Sequence, residues 1–187
     1  MKIDVYDFDG TIYDGDSSVD FFLFCLKKNK KTIIKIIPII CSIISYFIRK
    51  KDKTKYKEKI FSFLEYVEDI NKTINDFWIT HKHKIKKFYL EKDHKNDIII
   101  SASPEFLLKP ICEKLKVKLL IGSIVSKKTG KFTGLNCHDH EKVRRLKAIY
   151  KDLTIENMYT DSYSDQPLID ISKHAYIVKK NKLTKVK

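Results

Sequence analysis

The stretch Ile3-Asp4-Val5-Tyr6-Asp7-Phe8-Asp9-Gly10-Thr11 decides the fold of this chain of 187 residues. Its first five residues alternate enough apolar side chains to predict a short strand, which stops at a polar turn containing glycine. In extended backbone the side chains of Asp7 and Asp9 share one face. Two carboxylates this close repel each other, and a hard divalent cation such as Mg²⁺ relieves the repulsion while also bridging to phosphate. The stretch therefore predicts a reactive acidic site at the carboxyl end of a first strand.

Further strand and helix patterns alternate along the second half of the chain. The run Asp97-Ile98-Ile99-Ile100 is mostly β-branched and predicts a buried strand that ends at Ser101. The other segments are strands at 117–125, 157–160 and 175–178, helices at 106–115 and 141–150, and a hairpin turn at 127–131. Strands that alternate with helices form parallel sheets through right-handed crossovers. We therefore expect an α/β fold, a Rossmann-like parallel sheet flanked by helices, with ligands bound beyond the carboxyl ends of its strands.

The segment from Asp16 to Lys95 differs from this alternation. It is long, lysine-rich and helical in its apolar spacing, with little strand signal. We interpret it as a helical cap inserted after the first strand. This interpretation divides the chain into a core of residues 1–15 and 96–187 and a helical cap insertion of residues 16–95.

Three more groups of polar residues follow predicted strands or begin a helix. Ser101 supplies a hydroxyl, and Lys142 supplies a positive charge near a helix start, so both suit the binding of phosphoryl oxygens. Asp161 and Asp165 follow the strand at 157–160, and Asp161 is the better candidate for a metal ligand. The simpler alternatives are that Asp165 caps a helix and that Lys142 is a solvated surface charge.

In their order along the chain, these residues resemble the four motifs of the haloacid dehalogenase superfamily: Asp7-Phe8-Asp9-Gly10-Thr11, Ile100-Ser101, Lys142 and Asp161-Ser162-Tyr163-Ser164-Asp165. The first motif is highly specific, and the others gain weight from their order. The early position of the helical insertion is similar to that in the phosphoserine-phosphatase-like branch. The resemblance implies a phosphatase that acts on a small phosphorylated metabolite.

The same resemblance implies roles for individual residues. Asp7 would be the nucleophile that forms a phospho-aspartyl intermediate, and Asp9 would be the general acid and base. Lys142 would be the third catalytic residue. The phosphoryl group would be bound by Thr11, Ser101 and Lys142. The implied cofactor is Mg²⁺, held by Asp7, the backbone carbonyl of Asp9 and Asp161, with Asp165 either completing the metal site or ordering Lys142.

Asp16 stands where phosphoserine phosphatases carry a glutamate that faces the substrate. It is therefore a candidate contact to the leaving group, although aspartate is shorter. Because Asp14, Asp16, Ser17 and Ser18 all precede an apolar helix, the alternative is that Asp16 caps that helix. The residues alone leave both roles open.

The formal net charge of +14 comes almost entirely from lysine, with Arg49, Arg144 and Arg145 as the only arginines. Proteins that read nucleic acids usually depend on arginine forks, so we expect no nucleic-acid partner. The cysteines lack C-x-x-C spacing, and the chain opens without a charged and apolar leader, so we expect a cytoplasmic protein. Few arginines in the cap also argue against phosphoserine as the substrate.

The run 33–48 is almost wholly apolar and is flanked by lysine-rich stretches. It is short for a membrane span, so the alternatives are a helix packed within the cap and peripheral contact with an anionic membrane through residues 33–53. The order of these features also resembles that of bacterial phosphatidylglycerophosphate phosphatases. A lipid phosphate is therefore the alternative substrate, and phosphotransfer or a phosphomutase reaction is the alternative chemistry.

Overall fold

The computed structural model describes residues 2–28, Ile39 and 53–187. Within these ranges one sheet is formed by β1 (Lys2–Tyr6), β2 (Asp97–Pro104), β3 (Leu119–Ser123), β4 (Thr154–Thr160), β5 (Ser172–Lys179) and β6 (Lys182–Lys185). The helices are α1 (Ser17–Lys28), α2 (Lys53–Phe61), α3 (Ile70–His81), α4 (Lys87–Leu90), α5 (Glu105–Lys114), α6 (His140–Ile149) and α7 (Gln166–Ile171). Short 3₁₀ turns cover Ser62–Tyr66, Lys82–Lys84 and Tyr163–Asp165.

The strand order is β3-β2-β1-β4-β5-β6, with β1 in the interior of the sheet. Strands β1 to β5 pair in parallel, and β6 returns antiparallel along β5. The prediction of an α/β fold with a Rossmann-like parallel sheet flanked by helices is confirmed. The sequence did not indicate β6, because this edge strand is exposed along its whole length and so shows no apolar alternation.

The apolar runs of the central strands are explained by burial on both faces. In β2, Ile98 and Ile100 pack into one hydrophobic cluster together with Leu146 of α6, and Ile99 packs into a second cluster on the opposite face. All three isoleucines are fully buried. The alternation follows from the pleat of the strand, which sends successive side chains to opposite faces.

The helices between β1 and β2 pack around a cluster of buried aromatic rings. Phe21 of α1 and Phe77 of α3 lie edge to face, with ring centroids 5.3 Å apart. The indole of Trp78 donates a hydrogen bond to the carbonyl of Leu107 in α5 at 2.7 Å, which joins α3 to the helices that cover the sheet. The two ends of this helical segment lie close together, because the amide of Asp14 donates a hydrogen bond to the carbonyl of Lys84 at 2.8 Å.

No helix in the described ranges is both long enough and apolar enough to cross a lipid bilayer. The run 33–48, and with it most of the predicted membrane-contact region 33–53, lies outside the described residues. Ile39, which is helical and buried, and the backbone of Lys53, which begins α2, are the exceptions.

Candidate active site

The ends of β1, β2 and β4 bring the predicted site residues to one edge of the sheet. Asp7 directly follows β1, Ser101 lies in the last half of β2, and Asp161 directly follows β4. These strands are neighbours, so their carboxyl ends coincide. A hydrogen bond of 2.9 Å from the amide of Asp7 to the carbonyl of Tyr159 continues the pairing of β1 with β4 to the start of the site.

Lys142 is the cation at the centre of the site. Its ammonium lies 2.7 Å from a carboxylate oxygen of Asp7 and 2.7 Å from one of Asp165, and the side chain is only 3% exposed. Burial by itself lowers the pKa of Lys142, but the two carboxylates outweigh it and hold this pKa above its usual range. Burial raises the pKa of Asp7, Lys142 opposes the rise, and the negative charges of Asp165 and Asp9 add to it. The site therefore favours further positive charge near Asp7.

The start of α6, which carries Lys142, is held by a buried carboxylate. Glu141 accepts hydrogen bonds from Arg144 at 2.6 and 2.7 Å and from Arg145 at 2.8 Å. Arg145 also donates to the carbonyls of Gly122 and Leu135. The bonds from Arg144, together with those from Arg145, outweigh burial and lower the pKa of Glu141 to about 2. This network positions the helix turn from which Lys142 reaches the site.

Asp9 is held by donors on both carboxylate oxygens. One oxygen accepts from the amide of Ser17 at 2.7 Å, and the other accepts from the hydroxyl of Ser103 at 2.6 Å. The hydroxyl of Ser101 is more distant from this second oxygen, at 3.5 Å. Burial and the charge of Asp16 raise the pKa of Asp9, while the bonds from Ser103 and Ser17 oppose the rise. A carboxyl group with a raised pKa suits an acid that donates a proton and then recovers it.

Ser103 was missed by the sequence analysis, although a signal for it was present. Residues two apart on a strand share a face, so the side chains of Ser103 and Ser101 are expected to point in the same direction. Its hydroxyl also lies 2.8 Å from that of Ser18 in α1, which joins the inserted helices to Asp9.

Gly10 and Asp161 approach closely behind the acidic loop. Gly10 has a φ of +73°, and a Cβ atom built on it would lie 2.5 Å from a carboxylate oxygen of Asp161. Any larger residue at position 10 would therefore displace this carboxylate. The turn at Gly10 thus leaves room for the carboxylate of Asp161 beside the acidic loop. Asp161 itself is not among the residues that line the cavity described next.

These donors suit Mg²⁺. Among the residues that the structure describes, no three acidic, histidine or cysteine side chains converge as a preformed metal cage. Mg²⁺ rarely uses such a cage, since it keeps several waters and takes one or two carboxylates together with phosphate oxygens. Asp7 and Asp161 supply carboxylates at adjacent strand ends, whereas Asp165 is already bound to Lys142.

A cavity of about 460 Å³ opens over Asp7 and Asp9. Its lining also includes Ser101, Ser103, Lys142 and Asp165 from the core and Asp16, Ser18, Val19, Phe22, Leu23, Lys57, Ile60 and Phe61 from the inserted helices. One oxygen of Asp16 accepts from the amides of Ser18 and Val19 at 2.9 and 3.0 Å, so Asp16 caps α1 and also faces the cavity. Thr11 is fully buried, does not line the cavity, and its hydroxyl has no hydrogen-bond partner among the described residues.

Lys57 is a second cation of the cavity that the sequence analysis missed. Its ammonium donates to the carbonyl of Ala102 at 3.1 Å and to the side chain of Asn136 at 3.2 Å. Burial lowers the pKa of Lys57, and the charges of Asp16 and Asp9 oppose the change. Lys57 lies in a lysine-rich stretch, so no local pattern distinguished it from its neighbours.

Solved structures with the same fold cover nearly all of the chain. A protein of unknown function from Bordetella pertussis has a TM-score of 0.78 at 16% identity, over 93% of this chain and 88% of its own. A phosphoserine phosphohydrolase-like protein from Francisella tularensis has a TM-score of 0.58 at 17% identity, over 94% and 86%. A structure described as a phospho-aspartyl intermediate analogue of phosphoserine phosphatase has a TM-score of 0.53 at 13% identity, over 91% and 83%.

No curated protein matches the chain in sequence. The family model of the haloacid dehalogenase-like hydrolases, by contrast, matches residues 5–170. That range begins within β1, ends within α7 and includes every predicted site residue. The resemblance inferred from the four motifs is therefore confirmed, and the chain belongs to the haloacid dehalogenase-like hydrolases.

Proposed function

We propose that this protein is a Mg²⁺-dependent phosphatase that hydrolyses phosphate monoesters through a phospho-aspartyl intermediate on Asp7. The observation that carries the proposal is the buried contact of 2.7 Å between Lys142 and Asp7, in a cavity that Asp9 also lines. Membership of the hydrolase family and a fold shared with phosphoserine phosphatases support it.

In the first step the carboxylate of Asp7 attacks phosphorus, and the bond from phosphorus to the leaving oxygen breaks. Lys142 and the hydroxyl of Ser101 bind the phosphoryl oxygens, over which negative charge is spread. Asp9 enters protonated and gives its proton to the leaving oxygen, which departs as an alcohol. The bonds from Ser103 and Ser17 keep Asp9 in the orientation that this transfer requires.

In the second step water attacks the phosphorus of the acyl phosphate. Asp9, now a carboxylate, takes a proton from this water, and the bond between phosphorus and Asp7 breaks. Inorganic phosphate leaves, Asp7 is a carboxylate again, and Asp9 has recovered its proton. The cycle consumes one ester and one water and yields one alcohol and one phosphate.

Mg²⁺ would be held by the carboxylate of Asp7, the backbone carbonyl of Asp9 and the carboxylate of Asp161. When bound, it would neutralise part of the negative charge of the phosphoryl group and of the acidic cluster. We assign Asp165 to the positioning of Lys142, because their contact is 2.7 Å and both side chains are almost fully buried.

We further propose that residues 16–95 act as a cap over a catalytic core formed by residues 1–15 and 96–187. Asp16 and Lys57 contribute to the cavity from this insertion, and Asn136 and Ala102 meet Lys57 from the core. The substrate would be a small phosphorylated molecule in the cytoplasm. A binding site that closes between a cap and a core excludes water from the reacting phosphate.

The variant Asp7→Asn tests the proposal. It should abolish Mg²⁺-dependent release of phosphate from an aryl phosphate and prevent phosphate from being trapped on the acid-quenched protein, with unchanged circular dichroism. The matched control is Asp152→Asn, since Asp152 is exposed and outside the cavity. Turnover retained by Asp7→Asn would refute the proposal, and transfer of phosphate to an added alcohol would identify a phosphotransferase instead.

A further inference from the structure

The cavity over Asp7 has two chemically different parts. Its floor at the strand ends carries the acidic residues, the serines and Lys142. The inserted helices contribute Asp16, Ser18 and Lys57 to the lining, but most of their contribution is an apolar wall formed by Val19, Phe22 and Leu23 of α1 and by Ile60 and Phe61 at the end of α2. A phosphate bound on the floor would therefore direct its leaving group toward this apolar wall.

Of the three apolar residues of α1 on this side, Phe22 packs against the ring of Phe63, with centroids 5.0 Å apart, whereas Val19 and Leu23 lie outside the core. Phe21 and Cys25 place the opposite side of the helix in the core, where both are buried. Val19 and Leu23, four residues apart and so on one side of the helix, are 52% and 47% exposed. Large apolar side chains that are left open beside a polar site are typical of a surface that a ligand covers.

The other half of the wall is held in place by the hairpin that follows β3. Phe61 is 3% exposed, and its ring lies 6.1 Å from that of Phe132. The amide of Phe132 donates to a carboxylate oxygen of Glu58 at 2.8 Å. Gly130, with a φ of +70°, passes so close to Phe61 that a Cβ atom would lie 2.3 Å from its carbonyl oxygen. Contacts within the protein therefore hold this half of the wall in place.

Within the described ranges, the cavity lacks a side chain suited to a carboxylate on the leaving group, although Lys57 and His138 also line it. No arginine is among the described residues that line it, although arginine is the side chain that best binds carboxylates. Lys142 is engaged by two carboxylates, and Lys57 donates to two protein oxygens. Asp16 would repel an anionic group at the mouth.

From this arrangement we infer that the substrate is a phosphate monoester of an uncharged, apolar alcohol, either alkyl or aryl. The inference rests on the proposed phosphatase function and names the substrate class of the same site. The cavity volume of about 460 Å³ falls within the range of about 300–1,000 Å³ that is usual for small-molecule sites.

The inference predicts how turnover depends on chain length. A methylene group that is fully buried contributes about 0.8 kcal/mol, which corresponds to about a fourfold change in an equilibrium or rate constant. The wall is open on one side, so kcat/KM should rise between about twofold and fourfold per methylene from methyl to butyl phosphate. The value of kcat/KM should stop rising once the alkyl chain covers the apolar wall.

The experiment measures kcat/KM for methyl, ethyl, butyl and hexyl phosphate, for phosphoserine and for a short-chain phosphatidate in mixed micelles. The double variant Val19→Ser with Leu23→Ser should lower the ratio of hexyl to methyl phosphate turnover at least about fourfold, in keeping with loss of two buried methylenes at about twofold each. The matched control is Ile79→Ser, which changes an apolar residue that is 66% exposed and outside the cavity, and should leave the series unchanged.

The outcomes separate this inference from the proposed function. No phosphate released from any ester would overturn the proposed function and the inference with it. If all the alkyl phosphates are hydrolysed with the same kcat/KM, or if phosphoserine is hydrolysed fastest, the inference alone is overturned. Turnover of hexyl phosphate in solution would identify a soluble ester as sufficient, whereas turnover of the micellar phosphatidate alone would assign the apolar group to a lipid, and both results support the apolar wall.

Discussion

Replacing Lys142 by methionine keeps most of the length of the side chain but removes the ammonium that both Asp7 and Asp165 contact at 2.7 Å. The two carboxylates have little access to water, since their side chains are 13% and 2% exposed. Asp165 cannot swing outward easily, because its other oxygen accepts a hydrogen bond from the hydroxyl of Thr160 at 2.9 Å. The variant therefore leaves two negative charges close together and buried.

Removing one partner of a buried ion pair destabilises a protein by about 3–5 kcal/mol. We expect Lys142→Met to lower the free energy of unfolding by that amount, measured by urea unfolding with a chelator present. Domains are stable by about 5–15 kcal/mol, so the variant should still fold. Adding Asp165→Asn should recover part of the loss, and the two effects should differ from additivity by roughly 1–3 kcal/mol.

The matched control is Lys147→Met, which removes an exposed lysine from the same helix. It should change the free energy of unfolding by less than about 0.5 kcal/mol. A Lys142→Met variant as stable as this control, or a double variant whose loss equals the sum of the single losses, would show that Lys142 does not neutralise the two buried carboxylates.

Three further changes test other parts of the site. Gly10→Ala should cost about 1–2 kcal/mol of stability, because the φ of residue 10 is positive. It should also weaken Mg²⁺ binding, measured by calorimetry, because the new Cβ displaces the carboxylate of Asp161. Unchanged Mg²⁺ affinity would count against Asp161 as a ligand. Ser103→Ala removes a hydrogen bond of 2.6 Å to Asp9 and should lower kcat about tenfold with little change in KM, whereas an unaffected kcat would exclude an orienting role. In Glu141→Gln the pH dependence of stability should change: the folded-state pKa of Glu141 is lowered from 4.5 to about 2, so its contribution is present above about pH 4.5 and is lost as the pH falls toward 2. Between about pH 7 and about pH 3, the free energy of unfolding measured in urea should therefore fall less in the variant than in the wild type. Equal falls would contradict the assignment.

The sequence was most informative for the central strands and for the polar residues at their carboxyl ends. The apolar run of β2 is visible because this strand is buried on both faces, which demands apolar residues nearly throughout. The alternation in β1 is visible because Ile3 and Val5 are buried whereas Asp4 between them is only half-buried. Asp7, Ser101 and Asp161 could be grouped from their positions in the sequence alone, because parallel strands end at one edge of a sheet.

The contributions that cross between distant segments could not be predicted in this way. Lys57 is one lysine in a lysine-rich helix, and its place in the cavity depends on how α2 packs against the core. Asp16 shows the same limit, because the residues alone left two roles open and the fold lets it cap α1 and face the cavity together.

By itself, the sequence determined the α/β class and the positions of the acidic motifs, because strand periodicity and turn chemistry act over a few neighbouring residues. The order of the four motifs along the chain identified the hydrolase family. Only the tertiary structure decided that Asp165 pairs with Lys142, that Ser103 holds Asp9 and that the cavity has an apolar wall. These features depend on the distances between side chains that are far apart in the chain, and such distances are set by packing.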